Sequence, residues 1–204
     1  MYKITSDLLD RYAMAHGVKP DAGHLRIYAI RNAVPRSADE ISLAPFAEDM
    51  YKDTIILCGP VWMMVPGTSH PGAYWTEHPD NPAGAAHLIS LANGGKVYHF
   101  KPGFHHGDPS NPCLVQAENF EVQRDANRDG IIDHDEIKIY LGQFGIHFHH
   151  GGSSANIGQW SAGCVVCPMP GWTKVWAAIT ATRQQVVSLV VVDGDDLYKF
   201  STAA

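Results

Sequence analysis

Between residues 53 and 150 the apolar residues arrive in short runs, TIILC, AAHLISL, KVYHF, CLVQAENFEV and EIKIYLGQFGIHFH, separated by clusters of Pro, Gly, Asn and Asp. Strands need only a handful of residues and end at those residue types, whereas a helical bundle needs longer stretches of 3.6-residue periodicity. The pattern predicts an α+β fold that is mainly β. Helices are expected only near the ends. Residues 6–16 place Leu8, Leu9, Tyr12 and Ala13 on one face, with Ser6 suited to the N-cap and Gly17 to the stop. Residues 172–184 place Trp172, Val175, Trp176 and Ile179 on one face, and 186–192 follow as a buried strand. Residues 24–30 alternate as a strand, and 31–51, with Pro35 and Pro45, read as a loop with a short helix. The proline-rich stretch 66–82 reads as a long surface loop.

At 204 residues the chain fits one compact unit, read as an N-terminal extension (1–52) and a β-rich domain (53–204). Hydrophobic residues make up 45% and charged residues 18%, enough apolar material for a sizeable core. The net charge is −6 and no basic block occurs, which excludes a nucleic-acid binder that works through clustered Lys and Arg. No apolar run reaches the roughly 20 residues of a membrane span, and the first residues lack the apolar segment of a signal peptide. Synthesis in the cytoplasm is expected, with lysis, a dedicated secretion system or a removed leader as the route to the cell envelope. The four cysteines, Cys58, Cys113, Cys164 and Cys167, are then expected as free thiols, with Cys58 a small core residue.

Residues 125–136, DANRDGIIDHDE, match an EF-hand calcium loop position by position. Asp125, Asn127 and Asp129 stand at the first, third and fifth positions. Gly130 takes the turn, Ile131 offers its carbonyl, and Asp133 and Glu136 complete the set. Both flanks look like strands, so the loop is expected to hold a structural Ca2+ between strands. A solvated acidic turn is the plain alternative.

The next segment, GIHFHHGGSSANIGQWSAGCVVCP, sets His147, His149 and His150 ahead of Cys164. A thiol needs a nearby base to react near neutral pH, and histidine suits that work. In an extended strand His147 and His149 share a face and His150 takes the other. Gly163 lets backbone N–H groups approach a substrate carbonyl, as an oxyanion hole requires.

These residues resemble the L,D-transpeptidase (YkuD-type) catalytic domain. Phe148-His149-His150-Gly151 is similar to that family's strand-ending Ile-His-Gly motif, and Ser161-Ala162-Gly163-Cys164 to its Ser-His-Gly-Cys motif. The resemblance covers roughly residues 137–193, including the helix and strand after the cysteine, and points to a divergent phage or bacterial branch. It implies an L,D-transpeptidase-like β-sandwich and a cysteine peptidase, amidase or transpeptidase acting on a peptide amide, with bacterial cell-wall peptide as substrate. Cys164 would be the nucleophile and His149, assisted by His147, the base, with Ser161 and Gly163 shaping the nucleophile loop. Two positions depart from the family: its motif histidine is Ala162 here, and the arginine two residues after the cysteine is Val166. Two other readings stay open. One is a zinc protein using Cys164, Cys167 and two of the three histidines. The other is a calcium-stabilised, non-catalytic binding or structural module. Trp75, Tyr74 and His78 are candidates for stacking on substrate and Trp160 for a cleft wall, while His105-His106 reads as a solvated loop.

Overall fold

A computed structural model describes residues 1–21, 23–132 and 134–203. The chain opens with β1 (Tyr2–Lys3) and α1 (Ser6–Ala15). Leu8, Leu9, Tyr12 and Ala13 are buried as the helical spacing requires. Burying each large apolar side chain contributes about 1.5–3 kcal/mol. The cap is Thr5 and not Ser6: Thr5 Oγ1 accepts the Leu8 N–H at 3.1 Å. Ser6 turns inward, its Oγ 3.0 Å from the Cys58 sulfur, and Cys58 lies in the core.

The expected loop and short helix over 31–51 are instead two strands. After β2 (Arg26–Arg31) come β3 (Ala33–Pro35) and β4 (Glu40–Leu43), which form a small sheet with β1 in the order β1-β4-β3. The buried Ala33 and Ile41 anchor this sheet. Next come β5 (Asp53–Cys58) and β6 (Met63–Gly67). The expected surface loop over 66–82 is partly interior: Thr68, Ser69 and Thr76 are buried, and α2 (Ala73–Glu77) lies within it. The remaining β-rich stretch gives β7 (Ala85–Leu88), β8 (Tyr98–Phe104), β9 (Pro112–Gln116), β10 (Phe120–Asp125), β11 (Tyr140–Gly142), β12 (His147–His150) and β13 (Val165–Cys167). The chain ends in α3 (Met169–Ala181), β14 (Val187–Asp193) and α4 (Gly194–Thr202). The fold is thus α+β and mainly β. No helix among the described residues is long and apolar enough to cross a membrane.

The largest sheet has eight strands in the order β13-β12-β9-β8-β14-β2-β5-β6. It nearly closes on itself. Just past β6, Thr68 pairs with Val166 of β13 through two backbone hydrogen bonds of 2.8 and 2.9 Å. Strand β2 is buried along its whole length, because it lies between β14 and β5 with both faces covered. Ile27, Ala29, Ile55 and Leu57 face a core shared with Trp172, Val175 and Ile179 of α3. Tyr28, Ile30 and Ile56 face a second core with α1 and Leu197 of α4. Arg26 ties α1 to this sheet, with Nη2 2.6 Å from Asp10 Oδ2. A third sheet, β11-β10-β7, carries the acidic loop.

Candidate active site

Strand pairing places the cysteine against the histidine strand. β13 runs parallel to β12 with Phe148 opposite Val165 and His149 opposite Val166, so Cys164, one residue earlier, comes level with His147. The His147 N–H reaches the Cys164 sulfur at 3.3 Å, and that sulfur lies 3.8 Å from the Gly145 carbonyl oxygen. Phe148, Val165 and Cys167 join the main core, where Phe148 packs edge-on against Trp172 with centroids 5.2 Å apart. Cys164 and Val166 join a separate cluster with Tyr51 and Ile157. The Cys164–Cys167 pair therefore does not converge on one ion: three residues apart along an extended segment, the two thiols take opposite faces.

The loop before the cysteine is held tightly. Ser161 is fully buried, its hydroxyl 2.8 Å from the Cys164 carbonyl oxygen and 3.0 Å from that of His70. The Gly163 N–H reaches the same hydroxyl at 3.3 Å, so this amide bonds within the loop. Gly163 has φ +128, and a Cβ there would lie 2.4 Å from the Ala86 carbonyl oxygen. Asp49, which the sequence did not single out, fastens the surrounding loop. Its carboxylate accepts the Gly158 N–H at 2.6 Å, the Ala73 N–H at 3.2 Å and the Asn156 amide at 3.1 Å. Trp75 donates its indole N–H to the Gln159 carbonyl at 2.9 Å, and Trp160 lies 5.4 Å from His150 between ring centroids.

The histidines divide by partner. His149 is 2% exposed, with Nδ1 2.6 Å from the His150 carbonyl oxygen. A carbonyl only accepts, so Nδ1 carries the proton and Nε2 is a bare lone pair. That Nε2 is buried without a hydrogen-bond partner among the described residues. Burial first, and then His105, push the His149 pKa down to about 3. His147 Nδ1 lies 2.9 Å from His105 Nδ1, and burial also lowers the His147 pKa. His150 turns to Asn111, Nε2 to Oδ1 at 3.2 Å.

His105, expected in a solvated loop, instead stacks on His149 with centroids 4.1 Å apart. Its turn is fixed by its own N–H on the Asn111 carbonyl (2.8 Å) and by Asp108, which accepts the Ser110 N–H and the Asn111 amide. Burial, then His106, lowers its pKa to about 4. All four cysteines are free and buried. Burial raises Cys164 to about 11 and Cys113 to about 12, and Cys164 contributes to the shift at Cys113. His105, Cys113 and His147 bring their ligand atoms within 4.8 Å of one another, and this cluster could hold a metal ion.

A second polar interior lies on the far side of Ser69. Buried Arg31 donates to the Ser69 hydroxyl at 3.0 Å and to the Leu88 carbonyl at 2.8 Å, and the Asp53 carboxylate accepts from Ser69 N–H and Oγ. His70 and His87 lie beside it with ring centroids 5.7 Å apart, and none of their four ring nitrogens has a hydrogen-bond partner among the described residues.

In the acidic loop, Asp125 is fully buried and its carboxylate accepts the N–H groups of Arg128, Asp129 and Gly130 at 2.7, 3.1 and 2.8 Å. Gly130 sits at φ +83, the turn expected of it. The Asp129 N–H donates to Asn127 Oδ1, and Asp129 Oδ1 accepts the Ile131 N–H. Glu136 reaches back to the N–H groups of Ala126 and Asn127. Asp133 lies outside the described residues. Glu48 approaches from another segment, its carboxyl pushed up by burial and then by Glu77, Asp49, Asp125 and Asp129. The strand after the loop begins only at Tyr140.

No protein-family model, curated protein or solved structure matches the chain.

Proposed function

We propose that this chain is a cysteine-dependent acyl-transfer enzyme of L,D-transpeptidase type, a peptidase, amidase or transpeptidase acting on a peptide amide such as bacterial cell-wall peptide. The observation that supports it is the pairing of Cys164 with a histidine strand whose His149 keeps a neutral, unpartnered Nε2. His149 Nε2 does not hydrogen-bond the Cys164 sulfur in the resting structure, so the thiol proton passes to it once substrate binding brings the two together, as the sulfur bonds to the carbonyl carbon. The leaving amine takes that proton as the C–N bond breaks, leaving a thioester. Water or an acceptor amine then releases the acyl group. His147 assists through its N–H on the sulfur, and Ser161 and Gly163 hold the loop. A raised thiol pKa means that the resting sulfur is protonated, so proton removal accompanies attack.

A cleft of about 260 Å³ bordered by Ala162, Trp75, Arg124 and Phe144 suits the substrate. Among the described residues Arg124 is the only Lys or Arg lining it, and its guanidinium lies 5.4 Å from the Phe144 ring centroid. It offers the carboxylate partner that Val166 cannot. Arg124→Gln should raise KM for a carboxylate-bearing peptide about tenfold or more, in line with loss of a charge-assisted bond, and leave an amidated analogue unaffected. Equal effects on both peptides would remove Arg124 from recognition.

The test of the whole reading is turnover of synthetic cell-wall peptides by the wild type and Cys164→Ala, with peptide mapping after limited alkylation. Wild-type turnover that vanishes in Cys164→Ala is expected, and turnover that survives the change would end the proposal. Labelling should reach Cys164 before Cys58, Cys113 and Cys167. Its rate should climb about tenfold per pH unit toward pH 11, following the thiolate fraction. The same raised thiol favours one competing reading, a scaffold without catalysis. Peptides left intact by the wild type would select it.

The loop 125–136 we assign to structural Ca2+, supported by Asp125, Asn127, Asp129, Ile131, Asp133 and Glu136 in EF-hand spacing. The ion would relieve the repulsion among these carboxylates and Glu48. At free calcium about 100 times Kd the added stability is about 2.7 kcal/mol. Chelation should therefore lower Tm, and Asp129→Ala should abolish the difference. Identical melting curves with and without calcium, in protein shown to be metal-free, would leave an acidic turn.

A further inference from the structure

His105, Cys113 and His147 come from three different elements. His105 follows β8 in the turn fastened by Asn111 and Asp108, Cys113 lies on β9, and His147 lies on β12. Pairing of β9 with both β8 and β12 brings them together. Cys113 is 0% exposed, and both histidines are half-buried. The two Nδ1 atoms face each other at 2.9 Å, and the three ligand atoms fall within 4.8 Å. Tetrahedral zinc, with Zn–N about 2.0–2.1 Å and Zn–S about 2.3 Å, sets ligand atoms about 3.3–3.6 Å apart. Movements of tenths of an ångström to about an ångström reach that geometry. The neighbouring His149, stacked on His105 and 2% exposed, leaves Nε2 without a protein partner. A buried polar atom with no partner beside such a trio marks a place for a polar or charged guest.

We propose that His105 Nδ1, Cys113 Sγ and His147 Nδ1 form a binding site for a zinc-class divalent transition metal, with a fourth position open to water or a ligand atom. Two imidazoles and a thiolate select borderline and soft cations and reject calcium and magnesium, which take oxygen ligands. The site is therefore separate in chemistry and place from the loop 125–136. It uses neither Cys164 nor Cys167. Binding releases the Cys113 thiol proton and shifts the proton between the two Nδ1 atoms to the nitrogen of its own ring that does not bind the metal, leaving a thiolate and two neutral imidazoles on the ion. The proposal does not rest on the acyl-transfer reading, since it needs only these three side chains.

Cobalt(II) is the probe, because thiolate ligation and tetrahedral geometry each give it a distinct absorption. The full-length protein is stripped with chelator, kept reduced, and titrated with Co2+ in excess calcium, which saturates the acidic loop. One equivalent should bind with a thiolate charge-transfer band and tetrahedral visible bands, and one equivalent of Zn2+ should erase both. Cys113→Ser should lose the charge-transfer band, while Cys164→Ser and Cys167→Ser keep it. Because Cys113 is buried, His105→Asn in the half-buried turn provides a second variant, with folding checked by circular dichroism. It should weaken Co2+ binding at least 100-fold. No thiolate band in the folded wild type, a band that follows Cys164 or Cys167, or an unchanged Co2+ affinity in folded His105→Asn would each overturn the site.

Discussion

Folding stability should fall steeply as pH drops below about 6.5, with buried His87 as a principal cause. His87 is 0% exposed with both ring nitrogens unpartnered, and burial first, then Arg31, lowers its pKa to about 3. Its unfolded counterpart titrates near pH 6.5. Between those values the unfolded chain binds the extra proton, so stability is present above about pH 6.5 and is lost as pH falls toward 3. At pH 5 the loss from His87 alone is on the order of 2 kcal/mol, against a total of about 5–15 kcal/mol for a typical domain. His70 acts in the same direction, its pKa also lowered by burial and Arg31. Asp53, raised by burial, acts in the opposite sense as pH falls through its folded value. The decisive measurement is therefore the slope of stability against pH in the wild type and His87→Asn. The variant should lose about 2 kcal/mol less than the wild type between pH 7 and 5. Parallel slopes would show that His87 does not drive the acid transition.

Gly163→Ala should carry a large cost for a single added methyl group. The backbone there has φ +128, and the added Cβ would meet the Ala86 carbonyl oxygen, which belongs to strand β7 and cannot swing aside like a side chain. Positive-φ strain costs about 1–3 kcal/mol and overpacking a similar amount, so a loss of about 2–5 kcal/mol is expected. Thermal melting reads it. The same variant should shift the Ser161–Cys164 loop and change the alkylation rate of Cys164 even at temperatures where the protein is folded. A drop of under 0.5 kcal/mol would mean that the loop accommodates a side chain and that glycine is not required.

Local pattern carried much of the fold. The face of α1, the apolar runs within β5 and β14, and the Trp172–Ile179 face of α3 are written in residues close together in the chain. What escaped depends on distant partners. The β3–β4 hairpin carries two prolines nearby and is a strand pair only because β1 joins it. Thr5 became the cap because Ser6 found Cys58 across the sheet. Helix α4 follows directly from β14 with no break in the chain, although Asp195 and Asp196 in its first turn were a readable signal. At the site, the shared face of His147 and His149 follows from strand alternation alone. His105 and Cys113 could not be read, because only the pairing of β8, β9 and β12 brings them to that face. His70 and His87 were unreadable for the same reason, and Asp49 shows its role only through loops it fastens.

The seam between Thr68 and Val166 turns access to Cys164 into a matter of latch and hinge. Two backbone hydrogen bonds join the ends of the eight-stranded sheet, and the thiol lies two residues before the latch. A closed seam leaves no free edge at β13 for another chain to extend. Releasing that latch would free the backbone two residues from the sulfur without unfolding the cores beneath it. Amide protons at Thr68 and Val166 should then exchange together, faster than those of β2 and β5, and at a rate that low denaturant barely changes. Traffic to the cysteine would be paced by the breathing of one short seam.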